Sequence, residues 1–200
     1  MEGAAAMKHT ALELQAISFS YSDSSGTQKR LFQNFSMTVS KGERLCLYGP
    51  SGIGKSTLLR LMMELETPDS GRIFYPEKLK KTVVFQEDRL LPFATVLRNL
   101  TLFGSLSDAR RHLAALDLCE YENVRPSALS GGMKRRAAIA RALTADGDIL
   151  FLDEPFSGLD RETLSKTAAH IVECSRGKTI VMVSHSKDEA RLLNAELFYL

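Results

Sequence analysis

Two hydrophobic patterns alternate along the 200 residues of this chain. Alternating apolar residues and short β-branched or aromatic runs predict strands at residues 12–21, 32–39, 45–48, 72–75, 82–85, 148–152, 179–183 and 197–200. Apolar residues at helical spacing predict helices at residues 58–63, 95–103, 107–118, 133–144, 161–174 and in the stretch that ends at 194. Strands that alternate with helices in this way predict an α/β fold with a mostly parallel sheet flanked by helices.

The runs at 148–152 and 179–183 are apolar without interruption, which is typical of strands buried on both faces of a parallel sheet. The first run is followed by Asp153 and Glu154, and the second ends at His185. Polar side chains at the carboxyl ends of buried strands lie where α/β folds bind ligands. We therefore expect the functional site at this edge of the sheet.

The segment from about 87 to 130 has a different character. It contains a proline-broken apolar stretch and then helical spacing, with Leu106, Leu113 and Leu116 forming an apolar stripe. Ser107 is placed to cap the second of its helices. We interpret residues 1–200 as a single domain with this segment as a small helical insert, and residues 23–26 as a turn.

Composition narrows the classes of partner. The formal charge of +2 gives no long-range field for nucleic acid, so we expect no nucleic-acid partner. The densest basic cluster, residues 134–136, is predicted to be a solvated helix face. Cys46, Cys119 and Cys174 are widely spaced without a C-x-x-C pair, which suits a reducing cytosol and predicts no metal ligand among them.

No apolar run approaches the ~20 residues that cross a bilayer. The predicted location is therefore cytoplasmic, and any membrane part of the system must come from another subunit.

One motif carries specific chemistry. It is the phosphate loop Gly49-Pro50-Ser51-Gly52-Ile53-Gly54-Lys55-Ser56-Thr57. The loop lies between a predicted strand and a predicted helix, which is the context that this motif requires. Its backbone N–H groups and the helix dipole favour an anion, Lys55 can reach the β- and γ-phosphates, and the Ser56 hydroxyl can hold Mg²⁺. The sequence therefore predicts a nucleoside triphosphate site.

Six further features occur in a fixed order around this loop. They are Tyr21, Gln86, the stretch 129–133 with Ser130, Gly131 and Gly132, the pair Asp153 and Glu154, then Asp160 and His185. In this order the chain resembles the ATP-binding subunit of an ABC transporter from about residue 12 to residue 200. Residues 84–92 are similar to the ATPases of bacterial importers for nitrate, sulfonates and taurine.

The chain departs from the family's pattern in three respects. Ser186 stands where an aspartate is usual, Gly147 stands where a proline is usual, and the helical insert is short. The short insert puts transmission to a membrane partner in question.

The resemblance implies a P-loop NTPase-type fold with an N-terminal antiparallel β subdomain and a small helical insert. It also implies an ATP-dependent, head-to-tail homodimer that encloses two ATP molecules. Ser130, Gly131 and Gly132 precede a helix, so they offer a second anion site that would contact the γ-phosphate held by the opposing chain. Asp160 would lie at the dimer interface and couple the two sites.

The resemblance also assigns roles in the hydrolysis of ATP to ADP and phosphate. Asp153 would hold Mg²⁺ through water, with Ser56 and Gln86 as further oxygen ligands. Glu154 would act as general base toward the attacking water, with Lys55 and His185 on the γ-phosphate. Tyr21 would stack on adenine.

The implied partners are integral membrane permease subunits and, indirectly, a solute-binding protein. The protein would then be peripheral on the inner face of the cell membrane. The segment from Gln86 to Phe93 would tie the γ-phosphate to the insert and thereby to the permease.

Three other functions were considered, and the sequence argues against two of them. The same ATPase could drive lipoprotein extraction or cell-envelope remodelling through a different membrane partner. A soluble ABC protein of DNA repair or translation would need a coiled coil or a second cassette for which 200 residues leave no room. A nucleotide-binding regulator without hydrolysis would be expected to lack Glu154 or His185, and both are present.

Overall fold

The computed structural model describes residues 9–22 and 28–200. The turn predicted at 23–26 lies outside the described residues. None of the helices in the described ranges combines the length and the apolar character needed to cross a membrane.

Eight strands form two sheets in the described part of the chain. They are β1 Thr10–Ser22, β2 Gln28–Ser40, β3 Arg44–Tyr48, β4 Ser70–Phe74, β5 Lys81–Val84, β6 Ile149–Asp153, β7 Thr179–Val183 and β8 Glu196–Tyr199. The antiparallel sheet has the order β2-β1-β4, and the parallel sheet has the order β5-β6-β7-β3-β8. The predicted fold class, a mostly parallel sheet with an antiparallel β subdomain, is confirmed.

The described helices are α1 Lys55–Met62, α2 Val96–Thr101, α3 Leu106–Ala115, α4 Gly131–Thr144, α5 Arg161–Cys174 and α6 Lys187–Leu192. Two short 3-10 turns, Cys119–Tyr121 and Pro126–Ala128, precede α4. The segment between β5 and α4 therefore contains α2, α3 and both 3-10 turns.

Two details predicted for α3 are wrong. Ser105, rather than Ser107, caps the helix, because its hydroxyl oxygen accepts a hydrogen bond from the N–H of Asp108 at 3.0 Å. Leu106 is exposed at the first position of the helix, whereas Leu113 and Leu116 are buried. The buried leucines of the stripe therefore begin at Leu113, about two helical turns after Leu106.

The central strands of the parallel sheet are buried on both faces, as predicted from their apolar runs. Ile149 and Phe151 of β6 pack toward α1 and the antiparallel sheet. Leu150 and Leu152 of the same strand pack toward the helical segment with α4 and α5. Since side chains alternate along a strand, one apolar run supplies two cores. The residue that ends the run, Asp153, is thereby held in place from both sides.

Candidate functional site

The loops that follow four parallel strands meet at one edge of the sheet. The phosphate loop follows β3, Gln86 follows β5, Glu154 follows β6 and His185 follows β7. A cavity of about 440 Å³ opens there. It is lined by Tyr21, Lys29, Leu31, Ser51, Gly52, Gly54, Lys55, Ser56, Thr57, Gln86, Glu154 and His185. Chain topology thus gathers candidate residues that lie up to 164 positions apart, from 21 to 185.

The phosphate loop closes tightly against the antiparallel sheet. Gly54, which caps α1, has φ of +110°, and a Cβ atom there would lie 2.8 Å from the ring of Phe32. Only glycine fits this conformation and this contact. Lys55 begins α1, is buried, and donates hydrogen bonds from Nζ to the carbonyl oxygens of Gly49 and Pro50, both at 2.9 Å. Its ammonium group is therefore fixed inside the loop, on the cavity wall.

Hard oxygen donors lie together beneath the loop. The Ser56 hydroxyl donates to Oδ1 of Asp153 at 3.0 Å, and Asp153 is only 4% exposed. Burial raises the pKa of the Asp153 carboxyl above its ordinary value, and the neighbouring charge of Glu154 raises it further. A hydroxyl beside a destabilised buried carboxylate is a donor set that fits Mg²⁺. The exposed side chain of Gln86 lines the same cavity.

Glu154 and His185 form a pair across the cavity. His185 Nε2 lies 2.9 Å from Glu154 Oε1. Glu154 has φ of +47°, a left-handed conformation that costs a non-glycine residue about 1–3 kcal/mol and is concentrated at functional sites. Its N–H donates to the carbonyl of Val183 at 3.0 Å, which holds the strained residue in place. The carboxylate is therefore held in one orientation and has a partner that can position it.

Arg135 corrects the prediction that residues 134–136 form a solvated face. Its side chain is 2% exposed. Its guanidinium donates to the backbone carbonyls of Phe85, Gln86, Asp153, Glu154 and Pro155. It also lies 3.5 Å from the Asp88 carboxylate.

Burial lowers the pKa of the Arg135 guanidinium, although nearby carboxylates oppose the effect. The helical turn of about 100° per residue directs position 135 inward while its neighbours stay partly exposed. This side chain joins the ends of β5 and β6 to α4, so the residues behind the cavity are fixed to the helix that begins at Gly131.

Four predicted site residues at the starts of α4 and α5 do not line the cavity. Ser130 caps α4 by accepting from the N–H of Met133 at 3.3 Å, and Gly131 and Gly132 begin that helix. Asp160 caps α5, accepting from the N–H of Thr163 at 2.9 Å. The hydroxyl and N–H of Thr163 lower the pKa of Asp160. Gly49, Pro50 and Ile53 of the loop, and the buried Asp153 at the end of β6, do not line the cavity either.

Two cavity residues were not predicted. Lys29 and Leu31 come from β2, where residues two apart share one face of the strand. Lys29 pairs in register with Tyr21 of β1, whose ring packs edge-on against Phe19 at 4.9 Å. The alternation in β2 is a signal that could have indicated this face. The antiparallel sheet thus supplies a partly apolar, partly basic part of the cavity wall.

Two of the three departures from the family's pattern have local explanations. Ser186 caps α6 by accepting from the N–H of Glu189 at 3.4 Å. A Cβ atom at Gly147 would lie 2.7 Å from the carbonyl oxygen of Lys80, so the turn into β6 approaches β5 too closely for a side chain. Neither Gly147 nor Ser186 lines the cavity.

Comparison with known proteins places these features in context. Residues 32–157 match the ABC transporter family. The chain is 38% identical over 183 residues to an aliphatic sulfonates import ATP-binding protein, SsuB 3, of Rhodococcus jostii, covering 88% of this chain and 67% of the relative. It is 35% identical over 203 residues to the taurine import ATP-binding protein TauB of Pseudomonas aeruginosa, covering 93% and 77%.

Solved structures are also similar. A dimeric post-hydrolysis state of the ATP-binding cassette MJ0796, bound to ADP and Pi, aligns with a TM-score of 0.84 at 29% identity, covering 94% of each chain. A bacterial Atm1-family ABC exporter with ATP bound aligns with a TM-score of 0.82 at 23% identity, covering 96% of this chain and 37% of the exporter chain. The second likeness concerns the fold alone.

Proposed function

This chain belongs to the ABC transporter family, and from that premise we propose that it is the ATP-hydrolysing subunit that powers import of a small anion such as a sulfonate, taurine or nitrate. Family membership makes the chain an ATP-binding ATPase of a transport system. The observation that carries the proposal is the cavity where the phosphate loop faces the Glu154–His185 pair. The names of the sulfonate and taurine relatives support the solute class.

ATP binding follows from the construction of the cavity. The loop N–H groups, the start of α1 and the Lys55 ammonium would hold the β- and γ-phosphates. Tyr21 and Leu31 offer apolar surface at the opposite wall for the base. Lys29, which lines the cavity beside them, adds positive charge toward the α-phosphate.

Mg²⁺ fits the oxygen donors behind the loop. Ser56, Gln86 and Asp153 would hold the ion, with Asp153 acting through water. When bound, the ion neutralises charge on the phosphate oxygens. It would also stabilise the ionised form of Asp153, which burial disfavours.

Hydrolysis requires a base that can take a proton from water. Glu154 would accept that proton as the water oxygen attacks the γ-phosphorus, and the bond to the β-phosphate oxygen would break. His185 would hold Glu154 in orientation through the 2.9 Å contact and would turn toward the γ-phosphate when nucleotide is present. The strained backbone of Glu154 keeps its carboxylate at the strand end.

The surface formed by Ser130, Gly131, Gly132 and Asp160 would meet a second copy of the chain. A Cβ atom placed on Gly131 would have no heavy atom within 4 Å, so its backbone is open to an approaching phosphate. The dimeric state of the similar MJ0796 cassette supports a head-to-tail homodimer closed by ATP.

The helical insert, about residues 87–130 of a single domain spanning 1–200, would contact the permease. Phe93 is 74% exposed, and Leu102, Phe103 and Leu106 are exposed as well. Exposed apolar side chains grouped in one segment indicate a protein interaction site. The chain would then act as a peripheral subunit on the inner face of the membrane and would meet a solute-binding protein only through the permease.

Arg135 gives a route between the cavity and this insert. It holds the carbonyl of Gln86, just before the insert, and faces Asp88 at the start of the insert. Glu87 is largely exposed, so reversing its charge with Glu87→Lys should reduce transport and leave hydrolysis intact. Unchanged transport would contradict this route. Asp88 is unsuitable for the same test, because its substitution also removes the partner of Arg135.

The proposed function can be tested by identifying the membrane partner. Tagged Glu154→Gln chain with ATP would be recovered from detergent-solubilised membranes, and its partners identified by mass spectrometry. We expect a polytopic permease, and the binding protein that serves this permease would indicate the solute. A partner of envelope remodelling or lipoprotein extraction would overturn the import function. Only soluble partners would overturn any membrane role.

A further inference from the structure

A second cluster of reactive side chains lies away from the nucleotide cavity. His112 of α3 and His170 and Cys174 of α5 place one potential ligand atom each within 4.8 Å of one another. Nδ1 of His112 lies 2.9 Å from Nε2 of His170. Sγ of Cys174 lies 3.7 Å from His170 Nε2 and 4.0 Å from His112 Nδ1. None of the three residues lines the nucleotide cavity.

We propose that His112, His170 and Cys174 form a binding site for a zinc ion that joins the helical insert to α5. Zinc binds both imidazole nitrogens and cysteine thiolates, and three protein ligands with an open fourth position are typical of its catalytic sites. Neither the family membership nor the ATPase chemistry requires these residues, so the proposal stands independently of the proposed function.

The triangle of donor atoms has the size of a zinc site. Tetrahedral bonds of about 2.0–2.1 Å to nitrogen and about 2.3 Å to sulfur place two nitrogens roughly 3.3 Å apart and put sulfur roughly 3.6 Å from each nitrogen. The three observed separations, 2.9, 3.7 and 4.0 Å, depart from these values by less than half an ångström. The three donor atoms therefore lie close to the separations that a bound zinc ion requires.

The helices hold the donors rigidly. His170 and Cys174 are four residues apart on α5 and therefore share one face. His112 is 1% exposed and reaches them from α3.

The site can be reached from solvent. The three residues line a cavity of about 660 Å³ whose other charged residues are balanced in sign. The acidic ones are Asp108, Asp146 and Glu173, and the basic ones are Arg111, Arg176 and Lys178. A cation entering this cavity therefore meets no net repulsion, and water or one of the carboxylates can complete the tetrahedron.

Two of the chain's three cysteines, Cys174 and Cys119, supply the test and its control. Chelator-treated wild-type chain would be titrated with Co²⁺, whose thiolate complexes absorb by charge transfer, and then with Zn²⁺ in competition with a chromophoric chelator. We expect one ion per chain and a charge-transfer band. Cys174→Ser should lose the band and bind Zn²⁺ at least about tenfold more weakly. Cys119→Ser, which alters an exposed cysteine elsewhere, should behave as wild type.

Stability gives an independent readout. Because only the folded chain brings His112 and Cys174 together across 62 positions, Zn²⁺ should raise the melting temperature of wild type and of Cys119→Ser but not that of Cys174→Ser or His170→Ala. The altered residues are only partly buried, so the variants should fold. A wild-type chain that binds Co²⁺ without a charge-transfer band, or a Cys174→Ser chain that binds Zn²⁺ as tightly as wild type, would overturn the proposal.

Discussion

Two helices of this chain begin in ways that suit a phosphate, and they are built differently. α1 begins after Gly54 inside a cavity that also contains a buried lysine, an acidic strand end and the Glu154–His185 pair. α4 begins after Ser130, where a Cβ atom on Gly131 would meet nothing within 4 Å. At the start of α1, the phosphate loop and the acidic and imidazole side chains around it all come from the same chain. The second helix start has anion-binding geometry with no catalytic group beside it.

The difference shows that a helix N-terminus able to bind a phosphate is not by itself a site for hydrolysis. Helix N-termini attract anions wherever they occur, but hydrolysis also needs a base and a group that neutralises charge. We infer that the second helix start acts on a phosphate held by another copy of the chain. Arg135 connects the two, because it extends from α4 to the carbonyls that follow β5 and β6.

The largest expected effect on turnover comes from changing Glu154, which lines the cavity at the start of α1. Glu154→Gln removes the proposed general base while keeping the size of the side chain, so turnover should fall by about 10²–10⁴-fold with ATP binding retained. Phosphate release and nucleotide binding would be measured on the same preparation. Glu120→Gln, which changes an exposed acid on a 3-10 turn, is the control and should leave both unchanged. Persisting turnover in Glu154→Gln would show that another group is the base.

A smaller effect on turnover is expected at the second helix start. Gly131→Ala adds a methyl group that touches nothing within the chain, and alanine is the better helix former, so monomer stability should not fall. Between two chains the same methyl would hold the γ-phosphate away from the backbone, and a misplacement of about 1 Å can reduce the rate by about 10²-fold. ATPase rate, ATP binding and melting temperature would be compared. Full activity in this variant would count against the two-chain site.

Arg135, which links α4 to the ends of β5 and β6, should matter chiefly for the stability of the fold. Arg135→Ala leaves five carbonyls and Asp88 without their donor, and loss of one partner from a buried ionic network typically lowers the free energy of unfolding by about 3–5 kcal/mol. Lys134→Ala, one residue away and partly exposed, should change that free energy by less than about 0.5 kcal/mol. Urea unfolding measures both. Equal effects would mean that the buried network contributes little.

The smallest expected effect concerns Asp153 in the nucleotide-free chain. Because burial raises its folded-state pKa above the unfolded value of about 3.9, its ionisation destabilises the fold as pH rises through that interval. Asp153→Asn should therefore stabilise the chain at pH 7 by roughly 0.5–2 kcal/mol while impairing hydrolysis. Below pH 3.9 the gain should vanish. Thermal unfolding across this range checks it, and a gain that persists at low pH would point to packing instead of charge.

Local patterns were sufficient for much of the fold. The continuous apolar runs at β6 and β7 predict buried parallel strands because a strand covered on both faces needs no polar side. The phosphate loop predicts an anion site because its glycines and its lysine lie within nine consecutive residues. The order of the surrounding motifs carries the family resemblance, which the comparisons confirm.

The sequence determined which residues can do chemistry, and the tertiary structure decided which of them meet. Nothing in the spacing of Lys134, Arg135 and Arg136 distinguishes the buried guanidinium from its neighbours, since that depends on where α4 lies against the ends of β5 and β6. The pairing of Glu154 with His185 depends on the neighbouring positions of β6 and β7 in the sheet.

The proposed zinc site also could be predicted only in part from the sequence. The His170-Cys174 spacing is local and visible in α5, but its third member arrives from α3 through packing. The periodicity of apolar residues within one helix or strand can be read directly from the sequence. Which faces come together depends on how the free energy of burying apolar surface is distributed over the whole chain.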